Sequence, residues 1–201
     1  MWSAAFGNGD PDVERRMNRP ENELPTALPT NRLIVRTPAI AVALLGMQAY
    51  TTGVAFQLAA RAPGPEDPAE RNRLDELFWG HRGDGARFQI GVQFADGRRA
   101  SNLPGRDGDA GLIFHPAGGS GGPLSADQDW WLSPLPPEGP LLVVVRCPGI
   151  GLEETRIELD GTAIRRAGEA ATVLWPWQPP LDQPHEPPLP PDLPASSWFA
   201  G

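Results

Sequence analysis

Proline (25) and glycine (23) make up nearly a quarter of the 201 residues, and they are not evenly spread. They gather at the two ends and in the gaps between apolar runs, where a chain turns. Punctuation this frequent leaves little room for long helices. What survives between the breaks alternates apolar and polar residues with a period of two, the mark of strands.

The run from Arg87 to Ala95 is the plainest case. Phe88, Ile90, Val92 and Phe94 point one way, and Gln89, Gly91, Gln93 and Ala95 the other. Asp96-Gly97 follows directly and reads as a tight hairpin turn, with a return strand over Arg98 to Leu103. Leu33 to Val35 is a short strand closed by Thr37-Pro38. Ile40, Val42 and Leu44 alternate with Ala41, Ala43 and Leu45, a strand that both faces can bury, and Gly46 interrupts it. Val54, Phe56, Leu58 and Ala60 repeat the pattern with Gln57 and Arg61 on the opposite face. Leu112 to His115, Trp130 to Leu132 and Thr155 to Asp160 are further short strands. Leu141 to Val145, unbroken and largely β-branched, belongs in the middle of a sheet.

Two segments read as helices. Asp67-Pro68-Ala69-Glu70 has the form of a helix start, and Leu74, Leu77 and Phe78 make an apolar stripe, so a helix is expected near 66–79. A second follows Asp160 or Thr162 and runs to about Ala170. Residues 1–30 read as an extended N-terminal arm. Its Asn8-x-Asp10-x-Asp12 imitates the start of an EF-hand loop but lacks the glycine that should follow. In Pro176 to Pro194, nine of nineteen residues are proline, so 177–201 reads as a polyproline II tail with a PxxP-like stretch at Pro187 to Pro191. About eight short strands with one or two short helices predict an all-β, mainly antiparallel β-sandwich over 31–176, flanked by the two arms.

The 17 basic residues are all arginine, and the formal charge is -8. That balance argues against nucleic acid and against an anionic membrane, which are bound by a surplus of basic groups. The longest apolar run, Ala39 to Met47, is far below the roughly 20 residues that span a bilayer. The first ten residues have no basic stretch leading into an apolar one. With the single cysteine, Cys147, no intrachain disulfide can form. The expectation is a cytoplasmic chain with a reduced thiol.

Gly118-Gly-Ser-Gly-Gly122 runs through Pro123 into Asp127-Gln-Asp129-Trp130-Trp131. This is the one place where carboxylates, large aromatic area and an expected mobile glycine loop coincide. As neighbours on a strand the two tryptophans face opposite sides. One is expected in the core, the other exposed or under a loop. Asp127 and Asp129 share a face and supply acceptors. These four residues are the candidate ligand site; the alternative is that packing accounts for the tryptophans and solubility for the acids. The glycine run lacks the Gly-Lys-Ser/Thr of a phosphate loop, and no helix follows it. His81, His115 and His185 lack metal-ligand spacing, and no nucleophile elbow is present. Sequence therefore nominates no catalytic residue, no metal site and no cofactor.

Three runs carry a resemblance: Arg87 to Asn102, Asp127 to Pro137 and Cys147 to Arg156. They resemble a group of small uncharacterised proteins of high-GC Gram-positive (actinobacterial) genomes over about residues 21–178. That group has no established activity, so the resemblance implies no catalytic residue and no ligand. Two functions stay open. One is a non-enzymatic sandwich acting through a protein partner or as a homo-oligomer. The alternative is a sandwich that binds a small molecule or carbohydrate, a hydrolase included, through Gly118 to Trp131.

Overall fold

Alternation decides which residues meet. The computed structural model describes residues 10–64, 73–79, 87–103, 109, 111–122 and 124–179. In chain order the strands are β1 (Glu23–Leu24), β2 (Thr26–Arg36), β3 (Ala41–Tyr50), β4 (Gly53–Arg61), β5 (Gln89–Gln93), β6 (Arg99–Ser101), β7 (Ile113–Gly122), β8 (Ser125–Ser133), β9 (Pro140–Cys147), β10 (Leu152–Asp160) and β11 (Thr172–Val173). The helices are α1 (Pro11–Arg16), α2 (Arg73–Trp79) and α3 (Gly161–Glu169). A five-stranded sheet in the order β2-β3-β4-β8-β7 packs on a four-stranded sheet in the order β10-β9-β5-β6, and β1 pairs with β11 in a small ribbon. Every pairing is antiparallel. The all-β sandwich expected from the alternation is the fold of the chain.

Between the sheets lie Val42, Leu44, Phe56, Leu58 and Trp130 from one side and Ile90, Val92, Leu141, Val143 and Val145 from the other, all buried. Leu141 to Val145 is interior as its apolar run implies, flanked by β10 and β5. Gly46, at φ +54, makes a bulge where the register with β4 slips between Leu45 and Met47. The extra residue returns Met47 to the core side after Leu44. At the β5–β6 turn Gly97 has φ +91, and its N–H donates to Phe94 O at 3.0 Å. Arg98 donates to the Asp96 carboxylate through its guanidinium and its backbone N–H, which holds that carboxyl below its usual range.

Two helices, α2 and α3, close open sides of the sandwich. Leu74, Leu77 and Phe78 of α2 enter the core, and Phe78 stacks on Phe88 at 4.3 Å. Its start signal at Asp67-Pro68 lies outside the described residues. α3 begins where expected: Asp160 Oδ1 accepts from Ala163 N at 2.9 Å, and Ile164 is buried.

Three expectations are corrected. The arm is not extended throughout residues 1–30. Asp10 caps α1, its side chain accepting from Asp12 N, so this acid serves a helix start and the EF-hand likeness is incidental. β2 already begins at Thr26 and carries Pro29, which an edge strand tolerates because no partner needs its missing N–H. The glycine run is not a loop but the second half of β7, with Gly118 facing Asp129 and Gly122 facing Ser125. Gly118 and Gly119 stand at φ +149 and +150, an extended conformation closed to L side chains. A Cβ on Gly119 would strike the Asp127 carbonyl oxygen and the Trp79 ring. Glycine is what lets this strand pair at all.

Gly119→Ala is therefore expected to destabilise the fold by about 2 kcal/mol or more, through backbone strain and steric conflict together. Gly46→Ala meets no atom within 4 Å and bears only the left-handed strain, a cost of about 1–2 kcal/mol. Urea denaturation of the two variants checks both the order and the size.

Candidate functional site

The side chains of β8 divide by parity. Ala126, Gln128, Trp130 and Leu132 point between the sheets; Asp127, Asp129 and Trp131 point to the outer face of the five-stranded sheet. Asp127, Asp129 and one tryptophan thus share a face, as the spacing requires. Neither indole meets solvent: Trp130 is 1% exposed and Trp131 0%. Trp130 stacks on Phe114 at 4.7 Å inside the main core, and its Nε1 has no hydrogen-bond partner among the described residues. Trp131 lies in a second small core with Tyr50 and Ala55. Tyr50 meets it edge-to-face at 5.8 Å.

The cover over Trp131 is the N-terminal arm. The indole Nε1 donates to the carbonyl of Arg16, the last residue of α1, at 2.8 Å. His115 Nε2 lies 2.7 Å from the next carbonyl, Met17 O. Arg16 Nη1 donates back to Gly111 O. Of the two outcomes expected for the outward tryptophan, exposed or covered, the structure shows the covered one. The end of α1 and Met17 lie on the outer face, and Trp131 is their anchor.

The rest of the arm is fastened as firmly. Glu23 is 5% exposed, and its carboxylate accepts from Thr51 N at 2.8 Å and from the Thr51 hydroxyl. Those bonds satisfy the β3–β4 turn. Asn22 Nδ2 donates to Trp175 O, and Leu174 N donates to Asn22 O. Burial pushes the Tyr50 phenol above its usual value; Arg19 opposes the shift and Glu23 adds to it.

Beside the covered tryptophan the outer face stays open as a groove of about 440 Å³. Ala27, Pro29, Leu45 and Ala55 contribute apolar surface, and Arg19, Gln57 and Asp129 supply polar atoms. Gln57 Nε2 donates to Asp129 Oδ1 at 3.2 Å. Asp127, two residues along, is held elsewhere. The Arg61 guanidinium forks onto both of its oxygens at 2.9 and 3.1 Å. The two carboxylates therefore do different things: Asp127 is neutralised in a surface ion pair, and Asp129 is the acid in the groove. An amide, a carboxylate and a guanidinium around an apolar floor can orient a polar ligand. They do not form a nucleophile–base pair. No group of three or more His, Cys, Asp or Glu among the described residues is placed to hold a metal ion.

Elsewhere Cys147 is a buried thiol at the end of β9. Asp109 Oδ2 accepts from Arg99 N at 2.7 Å, while its neighbours Asp107 and Gly108 lie outside the described residues, as do His81 and His185. Sequence reading missed Arg19, Arg61, Glu23 and the role of His115. Gln57 and Arg61 had a signal, since they break the apolar run of β4 on its outer face. Glu23 and His115 had none, because their partners lie 28 and 98 residues away. No helix among the described residues is long and apolar enough to cross a membrane. Comparison with known protein families, with characterised proteins and with solved structures finds no match to this chain.

The two tryptophans are separable by substitution. Trp130→Ala is expected to cost about 3–5 kcal/mol, the usual range for emptying an aromatic core position. Trp131→Phe keeps an aromatic ring but strips Arg16 O of its donor, for about 1–2 kcal/mol. Its mark is faster proteolysis within residues 10–22, which Trp130→Phe does not produce.

Tyr50 is the single tyrosine, so tyrosinate absorbance reports it alone. Its folded-state pKa lies above the ordinary 10.0, so the stability it lends is complete below that value. That contribution is lost as pH rises through the folded pKa. The expected titration midpoint lies above 10.0 in the native protein and returns toward it in denaturant.

Proposed function

We propose that the chain is a non-enzymatic β-sandwich that works through protein contacts, with a second copy of itself as the first partner. The observation that carries this reading is the β1–β11 ribbon. Leu24, Val173, Leu174 and Trp175 are 56%, 50%, 43% and 58% exposed there. Single exposed apolar residues are ordinary; four large ones in one short ribbon mark a contact surface. The ribbon is rigid, because Asn22 and Glu23 tie it down, so little ordering opposes association. Leu24 and Val173 come from adjacent registers and point to opposite faces, so a partner gains apolar contact on both.

Light scattering after size exclusion tests this. The expected result is a dimer that Trp175→Ser with Leu24→Ser converts to a monomer of unchanged circular dichroism. A wild-type chain that stays monomeric at its highest soluble concentration overturns the reading.

A second reading rests on the groove at Asp129. Its volume of about 440 Å³ falls within the usual range for small-molecule sites, and its few polar groups converge on an apolar floor. Both indoles are covered, so the groove has no tryptophan platform, and a small polar or cationic molecule fits it better than a sugar stacked on an aromatic. A thermal-shift screen of small amines and amides is expected to give stabilisation that Asp129→Ala abolishes and Asp127→Ala preserves. Equal loss in both variants, or no shift at all, sinks this version.

A further inference from the structure

Two opposite charges line the groove on the outer face of the five-stranded sheet, and they do not pair with each other. Asp129 Oδ1 accepts from the Gln57 amide at 3.2 Å. The other oxygen, Oδ2, accepts from no group among the described residues. Gly118 faces Asp129 from β7, and a Cβ there would stand 3.8 Å from Oδ2, so glycine leaves that oxygen uncovered on its β7 side. Arg19 is exposed, and no carboxylate among the described residues pairs with it. Register puts the two charges in different rows. Asp129 faces Gln57 on β4, and Gln57 faces Leu45 on β3. Ala55 and Gln48 make the next row on the same side, about 7 Å along the strands. Arg19 belongs to that second row. The Tyr50 hydroxyl donates to Gln48 Oε1 at 3.4 Å, and Arg19 is near enough to oppose the upward shift of that phenol. Between the two charges the floor is aliphatic, from Leu45 and Ala55.

Building on the groove reading above, we infer that the groove takes a small ω-amino acid, with its ammonium on Asp129 Oδ2, its carboxylate on the Arg19 guanidinium and its methylene chain over Leu45 and Ala55. Charge complementarity carries the choice. A simple amine answers Asp129 and leaves Arg19 without a partner; a simple acid does the reverse. One molecule with both groups answers both, and each charge borders apolar surface, where attraction is stronger than in bulk water. Spacing sets the chain length. In an α-amino acid the two charged groups share one carbon, whereas the rows they must reach lie about 7 Å apart. Several methylenes between the groups match that spacing, and they cover an aliphatic floor that a second polar group would leave poorly solvated. The Gln57 amide, held by Asp129 Oδ1, keeps the carboxylate turned so that Oδ2 stays available.

Isothermal titration of the full chain with 5-aminovalerate, pentylamine, pentanoate and glycine tests the inference. 5-Aminovalerate is expected to bind about ten-fold or more tighter than pentylamine, the effect of one added hydrogen bond between charged groups. Glycine and pentanoate are expected to bind more weakly than 5-aminovalerate. Arg19→Gln is expected to lower 5-aminovalerate to the affinity of pentylamine and to leave pentylamine unchanged. Asp129→Asn, which keeps an acceptor for Gln57, is expected to weaken both. Arg19 is exposed, so its substitution carries the test even where a change on β8 disturbs the sheet. Pentylamine binding with no gain for 5-aminovalerate overturns the inference and leaves the groove reading standing. A gain that survives Arg19→Gln, or glycine binding as tightly as 5-aminovalerate, overturns it as well. Binding by none of the four compounds overturns both.

Discussion

Two adjacent tryptophans on one strand impose two cores. A strand sends neighbouring side chains to opposite faces, so Trp130 and Trp131 cannot share a shelter. Trp130 fills the space between the sheets, where a sandwich already needs volume. Trp131 points outward, onto a face that an ordinary sandwich leaves to solvent. Burying an indole is worth about 4–6 kcal/mol at the usual value per unit area. That gain favours whatever segment can lie over it, and the segment must also accept a hydrogen bond from Nε1. Helix α1 ends there with free carbonyls, as every helix does. Arg16 O accepts the hydrogen bond from the indole N–H, and Met17 O lies against His115. The arm joins the fold because Trp131 requires a roof and a helix end supplies acceptors.

The same strand explains the glycines. β8 needs a partner on its outer side, and β7 provides it. That partner must pass beneath Trp79 and beside the Asp127 backbone, where no Cβ fits. Composition alone makes five residues of glycine and serine a flexible linker. Pairing converts them into a strand because the turn at Gly122 and Ser125 brings them back along β8 one residue at a time. Their entropy is costly to lose, which locates the cost of this architecture at one edge of the five-stranded sheet.

Legibility in the sequence followed the range of the interactions. The strands around Phe88 to Phe94, Val54 to Ala60 and Leu141 to Val145 were readable because period two is a local signal. So were the Asp96-Gly97 turn and the Asp160 cap, each decided within a few residues. The outward pairing of Asp127 with Asp129 was also readable. The glycine strand was not, since its conformation depends on a partner that its own composition does not announce. The cover on Trp131 was not, because it rests on a contact 115 residues distant in sequence. The division of labour between the two acids was hidden for the same reason: Arg61 and Gln57 reach them from the neighbouring strand β4.

These constraints meet at the termini. With Trp131 holding α1, the chain runs on to the β3–β4 turn, where Glu23 enters as a buried carboxylate. A buried charge without partners is costly, and the two bonds from Thr51 with Arg15 at 4.0 Å offset that cost. Glu23 in turn fixes β1, and β1 fixes β11 through Asn22 and the Val173 register. The exposed Leu24, Val173, Leu174 and Trp175 therefore sit on a ribbon whose position is set, link by link, by an indole on the outer face of the five-stranded sheet. Loosening the Trp131 contact should then disturb the apolar ribbon as well as the arm, because Asn22 is hydrogen-bonded to both Leu174 and Trp175. The geometry of the ribbon is thus fixed by contacts within the chain itself.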